Sequence, residues 1–226
     1  MAAELDIVNA TLAMLGQEPV LDLGSASLGQ SNAALKVTRQ LNQVRDVVLR
    51  RHGWLCALTY ATLQPSVLPA LVASCNARWP VAYLLPSAAL RVWSIGGLLE
   101  PDWSAADWAG DWRGCGHHDG PRWETGTIDT DIGARQIIRG RWSAPLDVAY
   151  VRTPSWQAID PHVSDAISAE LAYRACRSVT AEAPGADMKS EAGERLQLAV
   201  SVDGTQASPE QRPPSRLAML RHWGGC

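Results

Sequence analysis

The densest set of reactive side chains in this 226-residue chain is Cys115-Gly116-His117-His118-Asp119. Thiol, imidazole and carboxylate are all zinc-ligand types, so this loop could serve a metal-dependent hydrolase. The spacing matches neither a paired CxxC nor a helical HExxH, and a polar loop tip is the competing reading. Asp102, Asp107, Asp111 and Asp119 share one stretch with many Gly and Trp residues. That pattern does not resemble a calcium loop and suits a role in keeping a Trp-rich surface soluble. His52 and His162 fall at helix ends, a common structural location. The chain holds no GxSxG elbow, no GxGxxG opening a helix and no GxxxxGK[ST], so nucleophilic-elbow and nucleotide chemistry have no support. Arg135, Arg139 and Arg141, with Trp142 beside them, form the densest basic cluster of the middle section. They could touch nucleic acid, or line a solvated hairpin face.

Aromatic usage is skewed: ten Trp, four Tyr and no Phe. Trp couples a large contact area to a polar N–H and suits interfaces and core edges. Trp103, Trp108, Trp112 and Trp123 stand in a Gly-rich stretch that cannot easily supply its own core. Burial against another subunit is one reading, and a small core beneath the loop is the other. Trp223, near the C-terminal end, is a further candidate partner contact.

Composition narrows the classes. Hydrophobic residues make up 46% and charged residues 19%, with a formal charge of -3. That excludes disorder of the whole chain and weighs against a general nucleic-acid binder, which is usually basic. A chain of this length buries about 70% of its unfolded surface and needs no metal or disulfide staple. Five cysteines at 56, 75, 115, 176 and 226 make no CxxC pair. Reduced thiols in a cytosolic compartment are the expectation. The opening MAAELDIVNA lacks a basic n-region and does not read as a signal peptide. No apolar run approaches the roughly 18 residues of a membrane span.

The elements that must position these residues follow from periodicity. Leu5, Val8, Leu12 and Leu15 predict a first helix, with Gly16 as its stop. Val37, Leu41, Val44 and Val48 make the stripe of a second helix from about Ser31 to His52, ended by Gly53. From Leu55 the period changes. Short strand signals recur, with Leu90, Val92 and Ser94 facing away from Arg91, Trp93 and Ile95. Leu146, Val148 and Tyr150 alternate with Asp147, Ala149 and Val151 in the same way. Asp160-Pro161 then starts a helix carrying Val163, Ile167, Leu171, Ala175 and Val179, which Pro184-Gly185 breaks. A fourth helix over Ala186 to Val202 presents Met188, Ala192, Leu196 and Ala199, and Gly204 ends it.

The expected fold is therefore α+β. A helical bundle is built from N- and C-terminal helices, with an inserted antiparallel β-rich domain and an extended C-terminal tail. The expected boundaries are residues 1–53 for the first helices, 54–156 for the insertion, 157–204 for the last helices and 205–226 for the tail. The tail is expected to become ordered only on a partner.

Three stretches in order resemble a known family. The first is Val44 to Trp54 (VRDVVLRRHGW), followed by Ala57 and Leu63. The second is Trp79 to Pro86 (WPVAYLLP), followed by Leu90-Arg91-Val92. The third is Ala149-Tyr150-Val151-Arg152, then Ile159 to Ile167 (IDPHVSDAI), then Leu171-Ala172. With Ile7-Val8-Asn9-Ala10 and Leu12 to Gly16, the chain resembles the phage tail tubular protein A family from about residue 4 to residue 203. Members are head-to-tail adaptors of short-tailed phages. The resemblance implies a virion structural protein, assembled in the bacterial host cytoplasm and located at the head–tail junction. It implies a ring, typically dodecameric, between the portal and the tail nozzle or tube, through which DNA passes with only transient, non-specific proximity. Its partners would be copies of itself, the portal protein and the tail nozzle or tube protein, with no membrane, no cofactor, no metal and no catalytic residue.

Overall fold

The computed structural model describes residues 2–24, 31–67, 75, 79–95, 98–99, 123–130, 133–140, 145–181 and 183–206. The chain is mixed α+β and divides into two compact units, residues 1–57 with 153–226, and residues 58–152.

Among the described residues the first unit holds four α-helices: α1 (Ala2–Met14), α2 (Asn32–Arg51), α3 (Pro161–Thr180) and α4 (Ala186–Gln206). A 3-10 turn, Trp156–Ala158, precedes α3. α1, α2 and α4 each pack on α3. That explains its sequence. Val163, Ile167, Leu171 and Ala175 form the expected stripe, yet Ala166, Ala169, Ala172 and Cys176 are buried as well. A helix covered on several sides is apolar over more than one stripe, and small side chains let its neighbours approach. α2 buries Val37, Leu41, Val44 and Val48 as its period predicts, together with Ala34 and Leu49.

The helix ends are set by local chemistry. Ser31 caps α2 by accepting the Ala34 N–H at 3.2 Å. Asp160 caps α3 by accepting the His162 N–H at 3.0 Å, with Pro161 in the first turn. α1 closes on Gly16 at φ 66°, where the Gln17 N–H reaches Leu12 O at 2.9 Å and the Gly16 N–H reaches Ala13 O at 3.0 Å. This left-handed stop is why a glycine stands there.

Two helix ends differ from the expectation. α3 stops at Thr180, with Ala181 in the left-handed region at φ 62°, ahead of Pro184-Gly185. α4 does not end at Gly204 but runs through it to Gln206. The physical reason is Asp203, a buried acid whose bonds outside the helix hold that last turn. The tail beyond residue 206 lies outside the described residues.

The second unit carries seven strands among its described residues. They are β1 (Leu58–Leu63), β2 (Val81–Leu84), β3 (Ala89–Ile95), β4 (Leu98–Leu99), β5 (Trp123–Thr130), β6 (Gly133–Gly140) and β7 (Leu146–Arg152). They form a four-stranded sheet of order β1-β7-β3-β4 and a three-stranded sheet of order β2-β6-β5, antiparallel throughout. One apolar cluster draws on both sheets: Leu63, Val92, Ile95, Leu146, Val148 and Tyr150 from the first, Tyr83, Trp123 and Ile138 from the second.

The simple alternation expected of β3 is absent. Ala89, Val92 and Ile95 are buried, a spacing of three. Register shifts between Ala89 and Arg91 and between Val92 and Ser94 insert extra residues, so Ile95 turns to the core with Val92. In β7 the alternation fails differently: Val148, Ala149, Tyr150 and Val151 are all buried. β7 is a central strand, flanked by β1 and β3, and both of its faces carry buried side chains.

Candidate functional site

The sequence-derived candidates separate into those the structure describes and those outside it. Trp103, Trp108, Trp112 and Trp223 lie outside the described residues, as do Cys115, His117, His118 and Asp119, and Arg141 with Trp142. Trp123 is described and corrects the interface reading at that position. It is 8% exposed and belongs to the apolar cluster of the β unit. Its pairing with Gly140 on β6 turns the indole toward Tyr83 and Ile138, so its surface is spent inside this chain.

Arg135 and Arg139 stand on the face of β6 that also carries Ile137, opposite the face of Ile138. The Arg135 Nη2 donates to Leu85 O at 3.1 Å, and the Arg139 Nη2 donates to Glu124 Oε1 at 3.0 Å. Gly126 makes room for this second pair, since a Cβ there would meet the Arg139 Nη2 at 2.9 Å. A phosphate would have to compete with these internal acceptors, which weakens a nucleic-acid reading of the pair.

The richest polar geometry lies where α2 ends. The Trp54 Nε1 donates to Val48 O at 3.0 Å, a second donor to a carbonyl in the last turn of α2. The Trp54 ring is fully buried and meets the His52 ring edge-on, with centroids 4.9 Å apart. His52 Nε2 lies 3.2 Å from Asp203 Oδ2, and Asp203 Oδ1 accepts the Leu55 N–H at 3.0 Å. Beside them the buried Glu170 accepts from Arg174 Nε at 2.7 Å and from both terminal nitrogens of Arg51 at 3.3 Å. The last residue of α2 is thus tied to α3 through Glu170, and the chain that follows it to α4 through Asp203.

Cys56 sits near this cluster. Burial pushes its thiol above the ordinary value, the Asp160 backbone opposes this, and the Asp203 and Asp160 carboxylates add to the rise. The thiol is therefore protonated at neutral pH, unlike a nucleophilic cysteine, whose value is lowered. At pH 7.5, Cys56 is expected to alkylate more slowly than an unfolded-peptide cysteine, with reactivity rising only at more alkaline pH. Peptide mapping after iodoacetamide treatment measures this, and a rate equal to the peptide's would refute it.

Among the described residues no group of three His, Cys, Asp or Glu side chains could hold a metal ion. No helix among them is long and apolar enough to cross a membrane. A shallow depression on α4 is lined by Ala186, Lys189, Ser190, Gly193, Glu194 and Gln197. The His52–Asp203 and Glu170 ties were not legible from sequence. The only signal was the basic run Arg50-Arg51-His52, which reads equally well as dipole compensation at a helix C-terminus.

No family model matches the chain, and no curated protein matches it.

Proposed function

We propose that this chain is a virion structural protein, a head-to-tail adaptor that forms a dodecameric ring between the portal and the tail nozzle or tube. The observation that carries the reading is the ordered set of three stretches, Val44 to Trp54, Trp79 to Pro86 and Ala149 to Ala172, that resemble the tail tubular protein A family. In this reading the helices of the two chain ends make one bundle. The β unit is an insertion in it, and the C-terminal residues are a tail that engages a neighbour.

Physical arguments support the role. A ring is built from head-to-tail contacts that close by rotation, and it needs lateral surfaces as well as two end faces. A conduit must let DNA slide. A formal charge of -3 suits that better than a strongly basic protein, because neutralising phosphates adds affinity and drag. The described arginines of β6 are bonded to the chain's own oxygens, which agrees with weak DNA contact.

Cryo-electron microscopy of the intact particle tests the proposal. A closed ring of this chain between portal and tail is the expected result. Absence of the chain from the particle would overturn it and return attention to the Cys115–Asp119 loop and a metal assay.

A further inference from the structure

Residues 58–152 leave and re-enter the helical unit at adjacent points. β1 starts at Leu58, β7 ends at Arg152, and their antiparallel register sets Leu58 opposite Val151. Opposed Cα atoms in such a pair lie about 4.5–5.5 Å apart. The helical unit, meanwhile, is assembled from two halves of the chain: α1 and α2 come before the β unit, while α3 and α4 come after it. α1 and α2 both pack on α3, so the unit exists only when the two halves meet.

The joining segment is long. A flexible loop of about a hundred residues closes with a probability that falls as the 3/2 power of its length, a penalty on the order of a thousandfold. Folding of the β unit removes that penalty, because the β1–β7 pair already holds residues 58 and 151 side by side. We infer that the β1–β7 pair is a clasp: it presents the two halves of the helical unit to each other, and the stability of that unit depends on the β unit through chain closure. The inference does not rest on the adaptor reading.

Full-length protein tests it by hydrogen exchange with mass spectrometry. Ile138→Ala together with Tyr83→Ala removes two fully buried side chains of the β cluster. Amides of β5 and β6 then lose protection, and those of α3 are expected to lose ten- to a thousandfold through loop closure. Thr62 and Asp147 are cross-strand partners with exposed side chains. Adding Thr62→Cys and Asp147→Cys allows the closure to be restored covalently, with the 62–147 disulfide verified by peptide mapping. The oxidised form is expected to regain at least tenfold of the α3 protection while β5 and β6 remain unprotected, and reduction should remove the gain. Unchanged α3 protection when the β unit opens would overturn the inference. So would a loss that the disulfide does not recover.

Discussion

Trp54→Ala lowers the unfolding free energy by about 3–5 kcal/mol, the expected range for removing a buried Trp ring. Trp54 has no exposed surface, so the whole ring volume becomes a cavity at the junction of α2 and the chain that follows. Two further losses push toward the upper end. Val48 O loses the indole N–H, and the His52 ring loses its edge contact. Trp54→Phe falls between. It keeps an aromatic ring but removes the N–H and three ring atoms, so its cost, a lost hydrogen bond plus a smaller cavity, is about 2–3 kcal/mol. Total stability of a domain is about 5–15 kcal/mol, so the alanine variant can leave a marginal helical unit. Urea unfolding followed by far-ultraviolet circular dichroism measures both. A cost below about 1.5 kcal/mol for Trp54→Ala would mean that the site collapses around the vacancy, contrary to the packing described.

The proposed resemblance rests on positions that are largely buried. In its first stretch Val44, Val48, Leu49 and Trp54 are buried. In its second, Trp79, Ala82, Tyr83 and Leu85 are buried. In its third, Tyr150, Val151, Ile159, Val163, Ala166 and Ile167 are buried, and Asp160 is a helix cap. The stretches are core positions and chain-reversal devices. They carry information about fold, whereas partner surfaces are written in exposed residues whose meaning lies in the partner. That is why the helices and strands were legible and a site was not.

Legibility followed the range of the interaction. Ser31, Gly16 and Asp160-Pro161 act within a few residues of themselves, and the helix ends they specify are where the sequence pattern puts them. The stripe of α2 is equally local, since it follows from 3.6-residue periodicity alone. The failures came from contacts across the chain. β3 carries bulges whose presence depends on pairing with β7, so a two-residue alternation could not reveal that Val92 and Ile95 share a face. Trp123 reads as an unsupported aromatic in a Gly-rich stretch until β6 and Tyr83 are seen to cover it. Glu170 carries no signal of its own in the sequence, because its partner Arg51 lies far away along the chain.

Asp203 is the sharpest of these cases. Substitution by alanine is expected to cost about 2–3 kcal/mol, since hydrogen bonds to a charged acceptor contribute about 1.5–3 kcal/mol and the Leu55 N–H loses its partner. The effect should be local as well as global. In α4 the buried residues are Ala192, Ala199 and Asp203, so beyond Ala199 only the carboxylate fastens the helix among its buried side chains. Gly204 lies next to it, and glycine costs about 1 kcal/mol relative to alanine inside a helix. Without the Asp203 bonds, the last turn has little to offset that cost. Amides of residues 202–206 should then lose protection at least tenfold more than those of residues 188–199, moving the helix end back to the glycine, where sequence pattern alone puts it. Asp203→Asn keeps an oxygen for the Leu55 N–H and removes the charge beside His52, so its cost should be nearer 1 kcal/mol, with the last turn retained. Urea unfolding and hydrogen exchange on both variants measure this. If Asp203→Ala left residues 202–206 as protected as in the wild type, the turn would owe its helicity to something other than the carboxylate, and the explanation given for its run through Gly204 would fail.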